Sequence, residues 1–166
     1  MQNAEYWINK LNLLPHPEGG YYKQIYKSNE EILKAGLPKR YKSNRSFLTS
    51  IYYLLENNHI SKFHKLKSDE IWYYHLGNPV KAHIFNEKGL YSENVLGKQI
   101  DKNQSPQVIF LKNSWFAAEV IQGNDDYSLI GCAVAPGFEF EDFELGKREN
   151  LQLKFPEYSE LIDKFS

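Results

Sequence analysis

The central stretch of the sequence is FHKLKSDEIWYYHLG, residues 63–77. From position 70 onward polar and hydrophobic residues alternate, which is typical of a β-strand with one face toward water or a ligand. Because side chains alternate across a strand, Glu70, Trp72 and Tyr74 share one face. A carboxylate beside Trp and Tyr is a poor choice for an apolar core. The alternation therefore predicts a pocket on that face.

Short strands are predicted on both sides of this stretch. The segments with a strand pattern are residues 47–55, 61–65, 70–75, 80–85, 90–96, 108–111, 117–121 and 129–134. Turn signals such as Gly77-Asn78-Pro79 separate them at intervals of roughly 8–12 residues. This spacing predicts an all-β sandwich or barrel rather than alternating strands and helices.

The two ends of the chain carry short helix signals. Asn3 is a suitable N-cap for a first helix that Pro15 stops, and a last helix is predicted after Pro156. Residues 27–46 are polar and broken by glycine and proline, so we expect a loop, with one helical turn as an option, that serves as a lid or as an arm at a dimer contact. Residues 137–145 alternate Phe with acids and predict an edge strand or a segment laid across the barrel.

Bulk composition excludes several classes of protein. A length of 166 residues without repeat or linker predicts one domain over 1–166, and 15% aromatic residues favour strands and lined cavities. The formal net charge of -1 gives no electrostatic case for nucleic acid or an anionic membrane. The single Cys132 lies in an apolar run and is expected to pack as a small hydrophobe. With no internal disulfide, signal peptide or long apolar run, we expect a cytoplasmic protein.

The segment HPEGGYY, residues 16–22, predicts a tight turn followed by a strand. Two interpretations stay open for its glycines. Gly19 and Gly20 either only permit the bend, or they let Glu18 and Tyr22 approach a bound ligand.

The strongest chemical candidates are His64 and Glu70, because His and Glu are common both in acid–base catalysis and as metal ligands. Six positions apart, they do not share a helix face, but a hairpin that turns at Lys67-Ser68-Asp69 would bring them together. No phosphate loop, CxxC, HExxH or GxSxG motif occurs in the sequence.

At this stretch the chain resembles the cupin superfamily, whose first motif is G-x5-H-x-H-x3/4-E-x6-G. His64, Glu70 and Gly77 match it, whereas Leu66 and Phe116 stand where the two other metal-binding histidines would be. The resemblance therefore implies a metal site of which only His64 and Glu70 remain. Apolar side chains do not ligate metals, so we expect no cofactor, with a divalent metal as the alternative.

A closer resemblance is to the cupin branch described as DUF985 or Cupin_5. It rests on segments that together cover nearly the whole chain: residues 16–22, 48–55, 63–80, 107–119 and 131–145. This resemblance implies a double-stranded β-helix, or jelly roll, with a pocket inside one end and commonly a homodimer. The branch is similar in fold to nucleotide-sugar epimerases that act on deoxyhexulose substrates, and to plant seed-storage and auxin-binding cupins.

Three functions follow as hypotheses. In the first, the pocket binds a sugar, nucleotide-sugar or nucleobase-like ligand as a metal-independent epimerase or isomerase. His64 is then the base, Glu70 orients its imidazole, and Tyr74 or Tyr52 returns a proton. The predicted ligand contacts come from Glu18 and from pocket side chains, Tyr52, Phe63, Trp72, Gln107 and Trp115.

The second hypothesis is a metal-dependent cupin enzyme that takes a third ligand from Glu18, Asp69 or Glu119. The third is a non-catalytic binding or storage-like protein, in which His64 and Glu70 satisfy each other.

Overall fold

The computed structural model describes residues 2–166, and within that range the chain is mostly β. Its strands, in chain order, are β1 (Leu14–Pro15), β2 (Tyr21–Lys27), β3 (Glu31–Ile32), β4 (Arg45–Ser46), β5 (Thr49–Glu56), β6 (Ile60–Leu66), β7 (Asp69–Gly77), β8 (Val80–Phe85), β9 (Tyr91–Leu96), β10 (Gln104–Ser105), β11 (Gln107–Phe110), β12 (Trp115–Val120), β13 (Tyr127–Ala135) and β14 (Phe143–Leu145). The helices are α1 (Ala4–Leu11), α2 (Arg148–Lys154) and α3 (Ser159–Lys164).

Two six-stranded sheets face each other. The first runs β1-β2-β5-β13-β7-β11 and the second runs β10-β9-β8-β12-β6-β14, while β3 and β4 pair separately. Consecutive strands often lie in opposite sheets, which is how a jelly roll is wound. The prediction of an all-β jelly roll with short terminal helices is therefore confirmed.

The main core fills the space between the two sheets. Tyr53 and Trp72 from the first sheet meet Phe116 and Val80 from the second, and each of these side chains is almost fully buried. Strand side chains alternate between this core and the outside, so the register of each strand decides which residues reach the interior.

The corner between β6 and β7 separates the two candidate residues. β6 belongs to the second sheet and β7 to the first, so His64 and Glu70 lie on opposite walls. The predicted hairpin is wrong here: Lys67 and Ser68 form a turn from one sheet to the other. Tyr41 fixes this corner, since its hydroxyl lies 2.8 Å from Ser68 Oγ and donates to the Lys67 carbonyl at 3.1 Å.

The first helix begins as predicted, since the Asn3 side chain accepts a hydrogen bond from the Tyr6 N–H at 3.0 Å. It ends at Leu11, earlier than the predicted stop at Pro15, because Asn12 takes a left-handed conformation. Leu14 lies beyond the helix and is exposed. The helix packs on the outer face of the first sheet through Ala4.

The carboxyl-terminal helices cover the outer face of the second sheet. The predicted helix after Pro156 is present as α3, preceded by a 3₁₀ turn. Helix α2 has no capping side chain at its start and was missed by the sequence pattern. Phe155 stacks on Phe85 at 4.1 Å, and Phe165 packs against Phe63.

Residues 27–46 contain the β3–β4 pair and a 3₁₀ turn rather than only a loop. The strands are two residues long, too short for a periodic signal. Residues 137–145 supply an edge strand, β14, which pairs with β6. Among residues 2–166 we find no helix that is both long and apolar enough to cross a membrane.

Candidate functional site

A cavity of about 340 Å³ opens between the two sheets at one end of the jelly roll. Its size lies within the usual range for small-molecule sites. It is lined by side chains of both sheets, the amino-terminal turn and the segment before β14: His16, Glu18, Tyr22, Gln24, Lys27, Thr49, Ile51, Tyr53, His64, Leu66, Glu70, Trp72, Cys132, Val134, Phe138, Glu139, Phe140 and Phe143.

The register between neighbouring strands determines which residues of the first sheet face the cavity. Gln24, Ile51, Cys132 and Trp72 stand opposite one another on four neighbouring strands. Glu70 lies one step along, opposite Val134. The predicted common face of Glu70 and Trp72 is therefore the cavity face.

Glu18 reaches the cavity through the turn of residues 16–20. Gly19 has φ 115°, and a Cβ there would collide with the backbone oxygen of Ile60. This close approach lets the Lys62 N–H donate to the Glu18 carbonyl at 2.8 Å. The glycines make the bend, and the bend delivers Glu18 to the cavity, while approach to a bound ligand stays a prediction.

Glu18 and His64 form a buried pair. Glu18 Oε2 lies 3.0 Å from His64 Nε2, and Ser61 Oγ donates to Glu18 Oε1 at 3.0 Å. His64 Nδ1 lies 2.7 Å from the Lys62 carbonyl, which only accepts, so Nδ1 carries a hydrogen. One proton is then shared between Glu18 Oε2 and His64 Nε2.

Burial determines the charge state of this pair. It lowers the pKa of the His64 imidazole to about 4, although the bond to the Lys62 carbonyl opposes the shift. Burial also raises the pKa of Glu18, against the influence of His16 and Ser61. Both directions favour an uncharged imidazole and a protonated carboxyl over an ion pair.

Glu70 is a second buried carboxyl on the opposite wall, and it makes no ion pair with His64. Burial, reinforced by the Glu18 carboxyl, raises the pKa of Glu70 to about 8. The Trp72 indole and the Cys132 thiol act in the other direction. Glu70 is therefore protonated at neutral pH and able to donate. The predicted role of Glu70 in orienting His64 is wrong, because Glu18 occupies that position.

Aromatic side chains close the remaining sides of the cavity. The His16 ring stacks on Phe140 at 6.3 Å and meets Tyr22 edge-on at 4.7 Å. Phe143 tilts over the His64 ring at 5.5 Å. At the mouth, Lys27 Nζ lies 2.6 Å from Glu139 Oε1.

Several predicted site residues lie away from this cavity. Tyr74 faces the core, but its hydroxyl donates to the Gly77 carbonyl at 2.6 Å. Tyr52 packs toward α1 on the outer face of the first sheet, one residue out of phase with Tyr53. Phe63 and Trp115 pack under the carboxyl-terminal helices. Gln107 is exposed on the edge strand β11.

Sequence reasoning missed cavity residues that no motif marks. Tyr53 donates to the Gly19 carbonyl at 2.8 Å, and only strand parity would have distinguished it from Tyr52. Cys132 was expected to pack as a hydrophobe; it is buried, but it also lines the cavity beside Glu70. His16 precedes Glu18 in the segment HPEGGYY and was recognised only as part of a turn.

The donor set does not fit the metal centre that the cupin motif describes. Leu66 lines the cavity at the position of the motif's second histidine, and the Phe116 ring lies 4.1 Å from that of His64. Neither side chain donates to a metal. Within residues 2–166, no three His, Cys, Asp or Glu side chains are arranged to hold an ion.

Comparison with known proteins assigns the family. The model of the cupin superfamily family DUF985 matches residues 5–146, and the chain belongs to this family. Protein SO0799 from Shewanella oneidensis is 36% identical with a TM-score of 0.88, covering 100% of this chain and 98% of that one. The uncharacterized protein YML079W of Saccharomyces cerevisiae is 30% identical over 152 residues, which is 86% of this chain and 75% of the yeast protein.

A more distant likeness concerns the fold alone. Oxalate decarboxylase from Bacillus subtilis superposes with a TM-score of 0.55 at 16% identity. The match covers 92% of this chain and 36% of that enzyme. It supports the jelly-roll architecture and carries no statement about activity.

Proposed function

We propose that the cavity binds a small polar or aromatic molecule, such as a sugar, nucleotide-sugar or nucleobase-like compound, and moves a proton on it without a metal. The protein would thus act as an epimerase or isomerase. The observation that carries this proposal is the pairing of Glu18 and His64 on one wall with the protonated Glu70 on the other.

The first half of the reaction assigns a role to each group. The Glu18–His64 pair holds one proton and takes a second from a carbon next to a carbonyl. Glu70 gives its proton to the carbonyl oxygen, so the bound molecule becomes an enol with an unchanged number of protons. Glu70 is left anionic and His64 cationic, and their opposite charges stabilise each other across the cavity. The pair then returns its proton to the neighbouring carbon while Glu70 takes one from the adjacent hydroxyl, which completes an isomerisation. If the enol turns its other face to the pair before the proton returns to the original carbon, and Glu70 takes back the proton from the enol oxygen, the result is an epimerisation.

Two further expectations accompany this proposal. The homodimer and the cytoplasmic location rest on the family resemblance and on the single cysteine, and both stay predictions. Tyr74 and Tyr52, the proton donors expected from the sequence, have no part in the proposed step, because neither side chain lines the cavity.

The test is hydrogen exchange in heavy water. Keto sugars, nucleotide sugars and nucleobases are incubated with the protein, and loss of the C–H signal next to the carbonyl is followed by NMR. We expect His64→Gln and Glu70→Gln to lower the exchange rate by a factor of about 10²–10⁴. His83→Gln is the matched control, because His83 is also buried but does not line the cavity. Equal rates in His64→Gln and His83→Gln would refute the proposal.

A non-catalytic binding protein is the second candidate. One observation favours it: Ser61 and His64 already satisfy both oxygens of the Glu18 carboxyl, as expected of a structural pair. Ligands that raise the melting temperature in the same panel, with no exchange of any C–H, would support this alternative.

A further inference from the structure

The charges around the cavity narrow the class of ligand that it accepts. Building on the proposed function, we infer that the site takes an uncharged carbonyl compound with a single ring and rejects phosphorylated, carboxylated and nucleotide-linked forms of it. The argument rests on the charge, the size and the hydrogen-bonding groups of the cavity.

The interior offers an anion no free cation. Within residues 2–166, Lys27 is the only Lys or Arg that lines the cavity, and its ammonium group lies 2.6 Å from the Glu139 carboxylate. Glu18 and Glu70 supply the other acids of the lining, on two facing walls. An anionic group placed there exchanges its hydration for neutral donors alone, and no free cation balances its charge.

The surface beside the mouth is also poorly suited to a diphosphate. A neighbouring hollow shares Glu139 with the cavity and adds Glu31 and Glu141. The guanidinium of Arg45 is fully buried and held by Asp142 and Glu141, so it does not face this hollow as a free cation. Lys34 is the cation that lines the hollow, and it stands among these three carboxylates.

The volume of the cavity independently limits the size of the ligand. A volume of about 340 Å³ lies near the lower end of the range for small-molecule sites. That space suits one sugar ring or one heterocycle. A nucleotide sugar would have to leave its diphosphate and nucleoside outside, against the acidic hollow.

Unsatisfied polar groups in the cavity lining indicate which hydrogen-bonding groups the ligand should have. The Trp72 indole N–H is buried and has no acceptor with hydrogen-bond geometry among the described residues. Glu70 on the same wall is a protonated donor. Two donors on one wall call for carbonyl or hydroxyl oxygens on the ligand. The aromatic side chains Tyr22, Phe138 and Phe143 provide apolar faces for a ring.

Matched pairs of ligands test this inference. The pairs are D-fructose with fructose 6-phosphate, uracil with orotate, and D-galactose with UDP-galactose. Affinity is measured by isothermal titration calorimetry, and stabilisation by the shift in melting temperature. We expect at least one uncharged compound to bind, and its anionic partner to bind at least tenfold more weakly.

A charge variant supplies the second measurement. Glu139→Gln removes the partner of Lys27 and frees an ammonium group at the mouth, so we expect the tenfold preference to fall at least threefold. Glu144→Gln is the matched control, since it removes an exposed carboxylate paired with Lys65 outside the cavity. An unchanged preference in Glu139→Gln would contradict the role of this ion pair.

The outcomes separate this inference from the proposed function. Anionic partners that bind as well as the uncharged ones, with proton exchange, would overturn the inference and leave the function standing. Binding of uncharged compounds without exchange would support the inference and overturn the catalytic proposal. Absence of binding by every compound in the panel would overturn both.

Discussion

The two oxygens of the Glu18 carboxyl make different contacts, and His16 Nδ1 also lies 3.4 Å from Oε2. Ser61 donates to Oε1, whereas the other oxygen lies 3.0 Å from His64 Nε2 and carries the shared proton. A glutamine in this place would reproduce both contacts: its carbonyl accepts from Ser61 and its NH₂ donates to Nε2. The stability of the protein therefore depends on the hydrogen-bonding group at position 18 and not on its charge.

We predict that Glu18→Gln unfolds at nearly the wild-type urea concentration, while Glu18→Ala loses about 1–3 kcal/mol because Ser61 and His64 are left buried without a partner. Urea unfolding at pH 7 measures both. Equal losses in the two variants would show that packing, and not hydrogen bonding, makes Glu18 important.

The elevated pKa of Glu70 has a cost in stability. Its folded-state value of about 8 lies above the ordinary 4.5, so the unfolded chain releases this proton first as the pH rises. The contribution of Glu70 is thus most favourable below about pH 4.5 and is lost progressively up to about pH 8. Each unit in that window costs up to about 1.4 kcal/mol.

Glu70→Gln should therefore be more stable than the wild type at pH 8, by up to a few kcal/mol, and nearly equal to it at pH 5. Urea unfolding of both proteins at a series of pH values measures the difference. Glu144→Gln, which changes an exposed carboxylate, is the control and should show no such divergence. Parallel curves for Glu70→Gln and the wild type would mean that Glu70 is ionised in the folded protein.

The turn of residues 16–20 is the element that connects the amino terminus to the site. Gly19 lies in a backbone region that other residues rarely adopt, and it packs directly against the Ile60 carbonyl. We predict that Gly19→Ala lowers the melting temperature strongly, because strain and a backbone collision act together. Gly36→Ala is the matched control, since a Cβ there meets only the Ile32 side chain at 3.6 Å. Similar melting temperatures for the two variants would contradict this account.

Arg45 joins β4 to the segment that carries Phe138 and Phe140. Its guanidinium is fully buried and donates to Asp142 through two bonds, at 2.6 and 2.8 Å. Removing one partner of a buried ion pair strands the other, which typically costs 3–5 kcal/mol. Lys67, 3.1 Å from Asp142, offsets part of that cost.

We predict that Arg45→Ala loses about 3 kcal/mol in urea unfolding, whereas Arg148→Ala loses less than about 1 kcal/mol. Both arginines pair with an aspartate, but the Arg148–Asp163 pair is half exposed. A small loss in Arg45→Ala would mean that water reaches Asp142 once the arginine is gone.

Sequence patterns predicted the individual strands better than the contacts between segments that are distant in the sequence. The alternation along β7 placed Glu70 and Trp72 on one inward face, because both residues obey a local period of two. The same rule did not predict which of Tyr52 and Tyr53 faces the cavity. Both belong to a run of hydrophobic residues, in which no polar residue marks the outer face. The contact between Glu18 and His64 joins positions 46 residues apart, and no local pattern encodes it.

At the scale of the whole molecule, both sheets contribute to one core. Trp72 of the first sheet lies edge-on to Phe116 of the second at 6.0 Å, and the outer clusters under the helices are built on the same strands. Neither sheet buries its inner face without the other. The single domain expected from the length of the chain stays a prediction.

We predict one cooperative unfolding transition. Tryptophan fluorescence and far-ultraviolet circular dichroism, followed against urea, should give the same midpoint and slope. An earlier transition by fluorescence, reporting Trp115 under the carboxyl-terminal helices, would instead indicate that these helices detach before the sheets separate.

The corner at Lys67 and Ser68 has a consequence for how such proteins diverge. β6 is held in register by β12 and β14, and β7 by β11 and β13, so a change on one wall leaves the register of the other intact. His64 and Glu70 lie only six positions apart in the sequence, but each is held in place by a different sheet. A single substitution can therefore replace His64 or Glu70 without changing the residues on the opposite wall. Descendants of one ancestor can acquire new chemistry in this way without rebuilding the barrel.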